Sequence, residues 1–347
     1  MSNRLTALLA NWLPEKDSCQ WVLASIIETQ RSSYRKAGAM MLINSQGKSY
    51  GLLSGGCLEA DLMRQAQKCW HKNISITVCY DMQDDSDIAW QLGIGCGGLV
   101  KVLLQPITAD NNYLDLVTLK SQLDNRNACF YHIDTGNTPS TYQSKNQVLS
   151  KPVSCLEPLL AIKPAPALVI FGGGLDAQPL VDIAHTLGWF ICLVDSRTAY
   201  ARAAYFSKAD LLINQDYASL AQNLLLPKAD AVVIMHHNVC LDAHALQLVA
   251  SQANLASASY LGLLGPQHRT EQVLEKAGLN STDFANKLAS PMGFDLGGEL
   301  PESIALAILS QAHASIENAS GKSLGYFHSQ LSTNNISSIT KVVKHAS

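Results

Sequence analysis

Two cysteines in the first hundred residues stand inside glycine, in Ser54-Gly55-Gly56-Cys57-Leu58-Glu59 and in Gly93-Ile94-Gly95-Cys96-Gly97-Gly98. A structural cysteine sits among bulky apolar side chains. Flanking glycine removes that bulk, permits positive φ and lets another group approach the backbone. The pattern points to a site with sulfur in play, where Cys57 and Cys96 touch a metal or handle sulfur. Cys57 precedes a helical period, so its thiol lies near a helix N-terminus, which favours thiolate. Glu59 in the first turn suits the same dipole. The competing reading of Cys57 is a small residue packed in a tight turn. For Cys96 it is a bulge or close crossing before the strand at 99–104.

A second constellation starts at Gly172-Gly173-Gly174. An apolar run at 168–171 leads into it, and a helix with apolar positions 177, 180, 181, 183, 184 and 187 follows. Asp195 ends the next strand. Gly-x-Gly-x-x-Ala in this setting is the dinucleotide-binding fingerprint, in which the turn admits a phosphate and the carboxylate accepts from ribose hydroxyls. The helix N-terminus adds donors and partial positive charge. Arg197, two residues on, bears on NAD against NADP. His236-His237-Asn238 follows the fourth strand, with Asp242 near, and Gly265-Pro266-Gln267-His268-Arg269 follows the fifth. All fall on the carboxyl edge of the sheet, where ligands bind. A phosphate-bearing ligand in that crevice is the expectation. An NAD(P)-dependent oxidoreductase and a nucleotide-sensing regulator are both open readings here.

The elements that must position these residues divide the chain. Residues 1–160 read as an α+β domain: strands at 21–28, 39–43, 49–53, 74–80, 99–104 and 128–133, and helices at 58–71 and 113–123. Cys69, Cys79, Cys129 and Cys192 sit in periodic segments and read as core. Arg31, Arg35 and Lys36 read as a solvated loop or a phosphate clamp. A polar, turn-rich stretch at 134–156 leads to Lys163-Pro164-Ala165-Pro166, where the boundary falls. Residues 165–315 alternate strand and helix, with strands at 168–171, 190–194, 211–213, 231–235 and 260–264. The fold expected is α/β: a C-terminal Rossmann-like, doubly wound parallel sheet preceded by a smaller α+β domain. Residues 316–347, rich in Ser, Asn and Gln, read as a loosely ordered tail.

Composition excludes several classes. The 347 residues are 47% hydrophobic and 15% charged, which suits a large core. A net charge of −3 gives no footprint for nucleic acid or an anionic membrane. No run approaches a spanning helix, and the start lacks a cleavable signal. Nine cysteines, none in a Cys-x-x-Cys, fit reduced cytoplasmic thiols better than a disulfide framework or zinc site.

Together these motifs resemble the XdhC/CoxI family, accessory factors for xanthine dehydrogenase-type molybdenum hydroxylases. The stretches that carry the resemblance are 54–59, 93–98, 169–197 ending Val-Asp-Ser-Arg, 260–265, and Ser290-Pro-Met-Gly-Phe-Asp-Leu-Gly297 with Pro301-Glu302-Ser303-Ile304-Ala305. The resemblance implies a cytoplasmic homodimer that binds molybdenum cofactor, in a plain or nucleotide form. It implies support of sulfuration with a cysteine desulfurase and delivery to the apo-hydroxylase, an accessory role more than turnover. It adds His237, Gly265 and Asp295 to the cofactor-binding candidates. His236, Pro266-Gln267 and Tyr34 depart from the family's usual residues.

Overall fold

Leu5–Trp12 (α1) covers one side of a five-stranded antiparallel sheet built from Trp21–Gln30 (β1), Met40–Asn44 (β2), Ser49–Tyr50 (β3), Ile76–Asp81 (β4) and Leu99–Ile107 (β5), ordered β3-β2-β1-β5-β4. In this computed structural model the described residues are 3–81, 98–135, 146–153, 158–222, 226–284 and 287–325. β1 is apolar at successive positions because both its faces are covered. Val22, Ala24 and Ile26 pack in one core with Leu62, Ala66 and Cys69 of Glu59–Lys72 (α2). Trp21 and Leu23 pack in another with α1 and Leu116–Asp124 (α3). α2 is tied to the edge strand β4 by the Tyr80 hydroxyl, which donates to buried Asp61 at 2.7 Å. Cys79 on that edge strand is exposed, against the expectation of core, while Cys69, Cys129 and Cys192 are buried.

The helix expected over 113–123 starts late. Asn112, Tyr113, Leu114 and Asp115 all have φ between 51° and 59°, so the chain reverses before α3 begins. The reversal is fixed by tertiary bonds: the Leu114 carbonyl accepts from the Tyr131 hydroxyl, and the Asp115 carboxylate accepts from the Val148 N–H. The stretch 134–156, read as polar connection, contributes a strand, and another follows it. Cys129–His132 (β6) pairs antiparallel with Gln147–Leu149 (β7) and Leu159–Ile162 (β8).

The C-terminal region is a six-stranded parallel sheet. Its strands are Ala167–Phe171 (β9), Phe190–Val194 (β10), Leu211–Ile213 (β11), Ala231–Ile234 (β12), Tyr260–Leu263 (β13) and Leu288–Ala289 (β14), in the order β11-β10-β9-β12-β13-β14. That is the doubly wound order, with its switch point between β9 and β12. Connecting helices are Ala177–Thr186 (α4), Tyr217–Gln222 (α5), Val239–Ser251 (α6), Ala253–Ala256 (α7) and Gln267–Ala277 (α8), and Pro301–Ile316 (α9) is the last element. Both faces of β9 are buried: Val169 and Phe171 in the core with α6, Leu168 and Ile170 in the core with α4 and α9. A strand covered on both faces reads as a continuous apolar run, which made it visible in the sequence. β14 is two residues long and was not legible. Beyond α9, residues 317–325 are exposed, with Gly321 beside the ring of Phe294. Residues 326–347 fall outside the described residues.

Candidate functional site

The Gly-Gly-Cys turn is held by its own neighbours. The Glu59 carboxylate accepts from the Leu53 N–H at 3.1 Å, the Ser54 N–H at 2.9 Å and the Ser54 hydroxyl at 2.5 Å. Ser54 Oγ accepts in turn from the Leu58 N–H at 2.7 Å. Gly55 and Gly56 have φ of 78° and 112°, which only glycine adopts at little cost. Leu58 is buried, whereas Cys57 is exposed just before α2. Burial works to raise the Glu59 pKa, but its bonds to Ser54 and to the backbone outweigh this and hold it low. Glu59 therefore clasps the turn that presents the thiol. Replacing Glu59 with Ala orphans two part-buried N–H groups and should cost about 1–3 kcal/mol, read by chemical unfolding. Full parental stability in that variant would remove the clasp.

Cys96 lies outside the described residues, as does the second motif up to Gly97. Gly98 is described. A Cβ there would overlap the Ser32 carbonyl oxygen, so glycine is needed for β5 to start beside the 30–33 segment. The same segment reaches the first motif, since the Tyr34 ring lies 3.6 Å from a Cβ built on Gly55.

At the carboxyl edge of the parallel sheet, the glycine turn has tight structural duties. Gly172 has φ 116°, and a Cβ on it would sit 2.7 Å from the Met235 backbone. A Cβ on Gly173 would sit 2.5 Å from the Ala201 nitrogen, and one on Gly174 would overlap an Asp176 carboxylate oxygen. Asp195 is fully buried. Its Oδ2 accepts from the Gly173 N–H at 2.8 Å and Arg197 Nη2 at 2.7 Å; its Oδ1 accepts from the Arg197 N–H and Nε, both at 2.9 Å. Arg197 also lies over the Tyr200 ring at 3.5 Å. Burial works to raise the Asp195 pKa, but Arg197, the two N–H groups and His236 outweigh it, and the net shift is downward. In this arrangement both carboxylate oxygens are engaged within the chain, and the Gly173 N–H that could meet a phosphate points at Asp195.

The two histidines part company. His236 is buried: its Nδ1 and backbone N–H meet Asp242 Oδ1 at 2.8 and 3.1 Å, and its Nε2 meets the Tyr217 hydroxyl. The other Asp242 oxygen accepts from Arg269, whose Nη1 donates to the Leu264 carbonyl at 2.7 Å. This network ties together the ends of β12 and β13 with α5, α6 and α8. Gly265, at φ 118°, leaves room for the Arg269 side chain, because a Cβ there would meet its Cδ at 2.8 Å. His237 is exposed, left-handed at φ 57°, and its Nε2 lies 2.6 Å from Asp176 Oδ2.

His237, Asp176, Gly265 and Arg269 line one cleft of about 420 Å³, within the usual range of ligand pockets. Leu180 of α4 and Met235 line it on one side, and Ile304, Ala305 and Ile308 of α9 on another. It opens on the β9/β12/β13 side of the switch point. Of the expected residues, the structure brings His237 and Gly265 to this cleft and Gly172, Gly173, Gly174, Asp195 and Arg197 to the glycine turn. Asp295 is exposed in the loop between β14 and α9. Arg269 comes from the loop expected at the ligand edge, while the α9 wall, whose start at 301–305 belongs to the family stretches, is a side of the cleft that no sequence expectation placed there. The available signal was the spacing 301, 304, 305, 308, one helix face opening at a proline. Cys240, also exposed, lies in the first turn of α6 at the same edge.

Among the described residues no cluster of His, Cys, Asp and Glu is built to hold a metal ion, and no helix is long and apolar enough to cross a membrane. Comparison with known proteins matches residues 168–312 to the XdhC Rossmann domain and residues 16–81 to the XdhC and CoxI family. A Bacillus subtilis protein named as a probable xanthine dehydrogenase subunit is 29% identical, over 85% of this chain and 93% of that one. The Escherichia coli molybdenum cofactor insertion chaperone PaoD is 22% identical, over 84% of this chain and 81% of that one. A crystal structure from Bacillus halodurans, described as a xanthine dehydrogenase, superposes with a TM-score of 0.77 at 29% identity and covers 92% of this chain and 96% of that one. Motifs, domain order and whole-chain similarity agree: the chain belongs to the XdhC/CoxI family.

Proposed function

We propose that this protein is a maturation chaperone that binds molybdenum cofactor, supports its sulfuration and passes it to a xanthine dehydrogenase-type hydroxylase. The observation that carries the reading is the cleft at the switch point, mostly apolar with Arg269 and His237 on its lining. A pterin offers a ring system to the apolar walls and a phosphate to the Arg269 guanidinium and the His237 imidazole. The similarity to a named cofactor insertion chaperone supports the same role. The exposed thiol of Cys57 is the group assigned to molybdenum or sulfur, since soft thiolate suits that metal chemistry. Cys96 is assigned to the same task. A cysteine desulfurase as sulfur source, a homodimeric assembly and a cytoplasmic location complete the reading.

An NAD(P)-dependent role gains no specific observation, because the oxygens of Asp195 are engaged by Arg197 and Gly173. The test is reconstitution. The purified chain, molybdenum cofactor released from a molybdenum hydroxylase, and an apo-hydroxylase are mixed without oxygen. The chain should raise the yield of active hydroxylase several-fold over cofactor alone. An unchanged yield would overturn the role.

A further inference from the structure

The cleft and the glycine turn are different places, and their chemistry differs. At the turn, two carboxylates bear on the path a dinucleotide would take, Asp176 at the helix start and Asp195, paired with Arg197, at the ribose end. Asp176 occupies the N-cap position of α4, and Asp195 takes the Gly173 N–H. Ala201 closes on the turn from the other side. A phosphate at the turn would have to displace Asp195 from the Gly173 N–H. The cleft shares Asp176 with the turn, but there the carboxylate is paired with the His237 imidazole, and the Arg269 guanidinium and apolar walls stand beside them.

Resting on the chaperone reading, we propose that the cleft beside α9, and not the glycine turn, is where this chain holds the pterin end of the cofactor. The pterin ring system lies between Leu180 and Met235 on one side and Ile304 and Ile308 on the other. Its anionic end lies toward Arg269 and His237. Arg269 is suited to this because Asp242 and the Leu264 carbonyl fix its guanidinium while using only two of its nitrogens, leaving N–H donors for a ligand. His237 is held at the lining by Asp176. A nucleotide appended to the pterin would extend from the cleft, since the dinucleotide path across the turn is closed by Asp195 and Ala201.

Ile304 and Leu306 provide the test, since both are substantially exposed on α9, at 37% and 51%, and only Ile304 lines the cleft. Affinity for cofactor released from a purified molybdenum hydroxylase is measured without oxygen on the full chain and on Ile304→Glu and Leu306→Glu. Thermal unfolding of each variant verifies the fold. A carboxylate on the apolar wall opposes both ring and anion, so Ile304→Glu should weaken binding by at least about tenfold. Leu306→Glu should bind within about threefold of the parent, as surface changes away from a site do. Parental affinity in Ile304→Glu, or equal losses in both variants, would overturn the cleft assignment while leaving the chaperone reading standing. If the unmodified chain binds no cofactor, the chaperone reading falls and the site with it.

Discussion

Cys57→Ala should leave the chain folded and abolish its ability to activate the hydroxylase. The two halves of that outcome come from different features of the turn. Cys57 is exposed and takes no part in the Ser54–Glu59 clasp, and the positive φ values of Gly55 and Gly56 do not depend on it. Its removal should therefore change stability by no more than about 0.5 kcal/mol. Activation should fall by more than about 100-fold, because even outer-shell partners of metal ligands are worth about 10–100-fold. Cys57→Ser separates thiol chemistry from shape. The hydroxyl fills the same space but is a poor partner for a soft metal or for sulfur, so it should fail as Ala does. Full activation by either variant would remove Cys57 from the mechanism.

Asp242→Ala should produce the largest loss of stability of any single change at the carboxyl edge. The side chain is fully buried and receives the His236 backbone N–H, its ring Nδ1 and the Arg269 guanidinium. Removing the carboxylate leaves those donors without an acceptor, at a cost of about 3–5 kcal/mol for a broken buried pair. Denaturant unfolding of the variant against the parent reads this directly, and a loss under about 1 kcal/mol would show that the network relaxes without it. The same network gives the domain its acid limit. Burial works to raise the Asp242 pKa, but His236 and Arg269 outweigh it, and the Asp195 pKa is also net lowered. Carboxylates depressed in the folded state add stability that is fully present above the ordinary Asp value of about 3.9 and is lost as pH falls through their folded values. The domain should thus hold its stability toward neutral pH and lose it in acid below about pH 4. Asp195→Asn should start lower and show a shallower acid decline.

The scaffold was more legible in the sequence than the site. β9, β10, β12 and β13 stood out because strands buried on both faces are continuous apolar runs, and the glycine turn marked where β9 ends. β14 did not, since two residues carry no periodicity. The reversal at 112–115 was hidden for a related reason: Tyr131 and Val148, remote in sequence, fix it. At the site, Asp195 stood where a ribose-binding carboxylate belongs, but its saturation by Arg197 depends on a side chain folding back over two residues. The paired histidines looked equivalent in sequence. A left-handed residue after β12 turns His237 to the cleft, while His236 joins Asp242 and Tyr217 in the core. The α9 wall was written in the 301–308 spacing, yet only its packing beside α4 and β13 made it part of a cleft.

That this chain carries molybdenum cofactor is tested most directly by purifying it without oxygen from cells making the cofactor, then measuring molybdenum and pterin across the protein peak. Both should co-elute with the chain in equal amounts and be absent when cofactor synthesis is blocked. A peak with neither molybdenum nor pterin, from cells shown to contain the cofactor, would contradict the chaperone role.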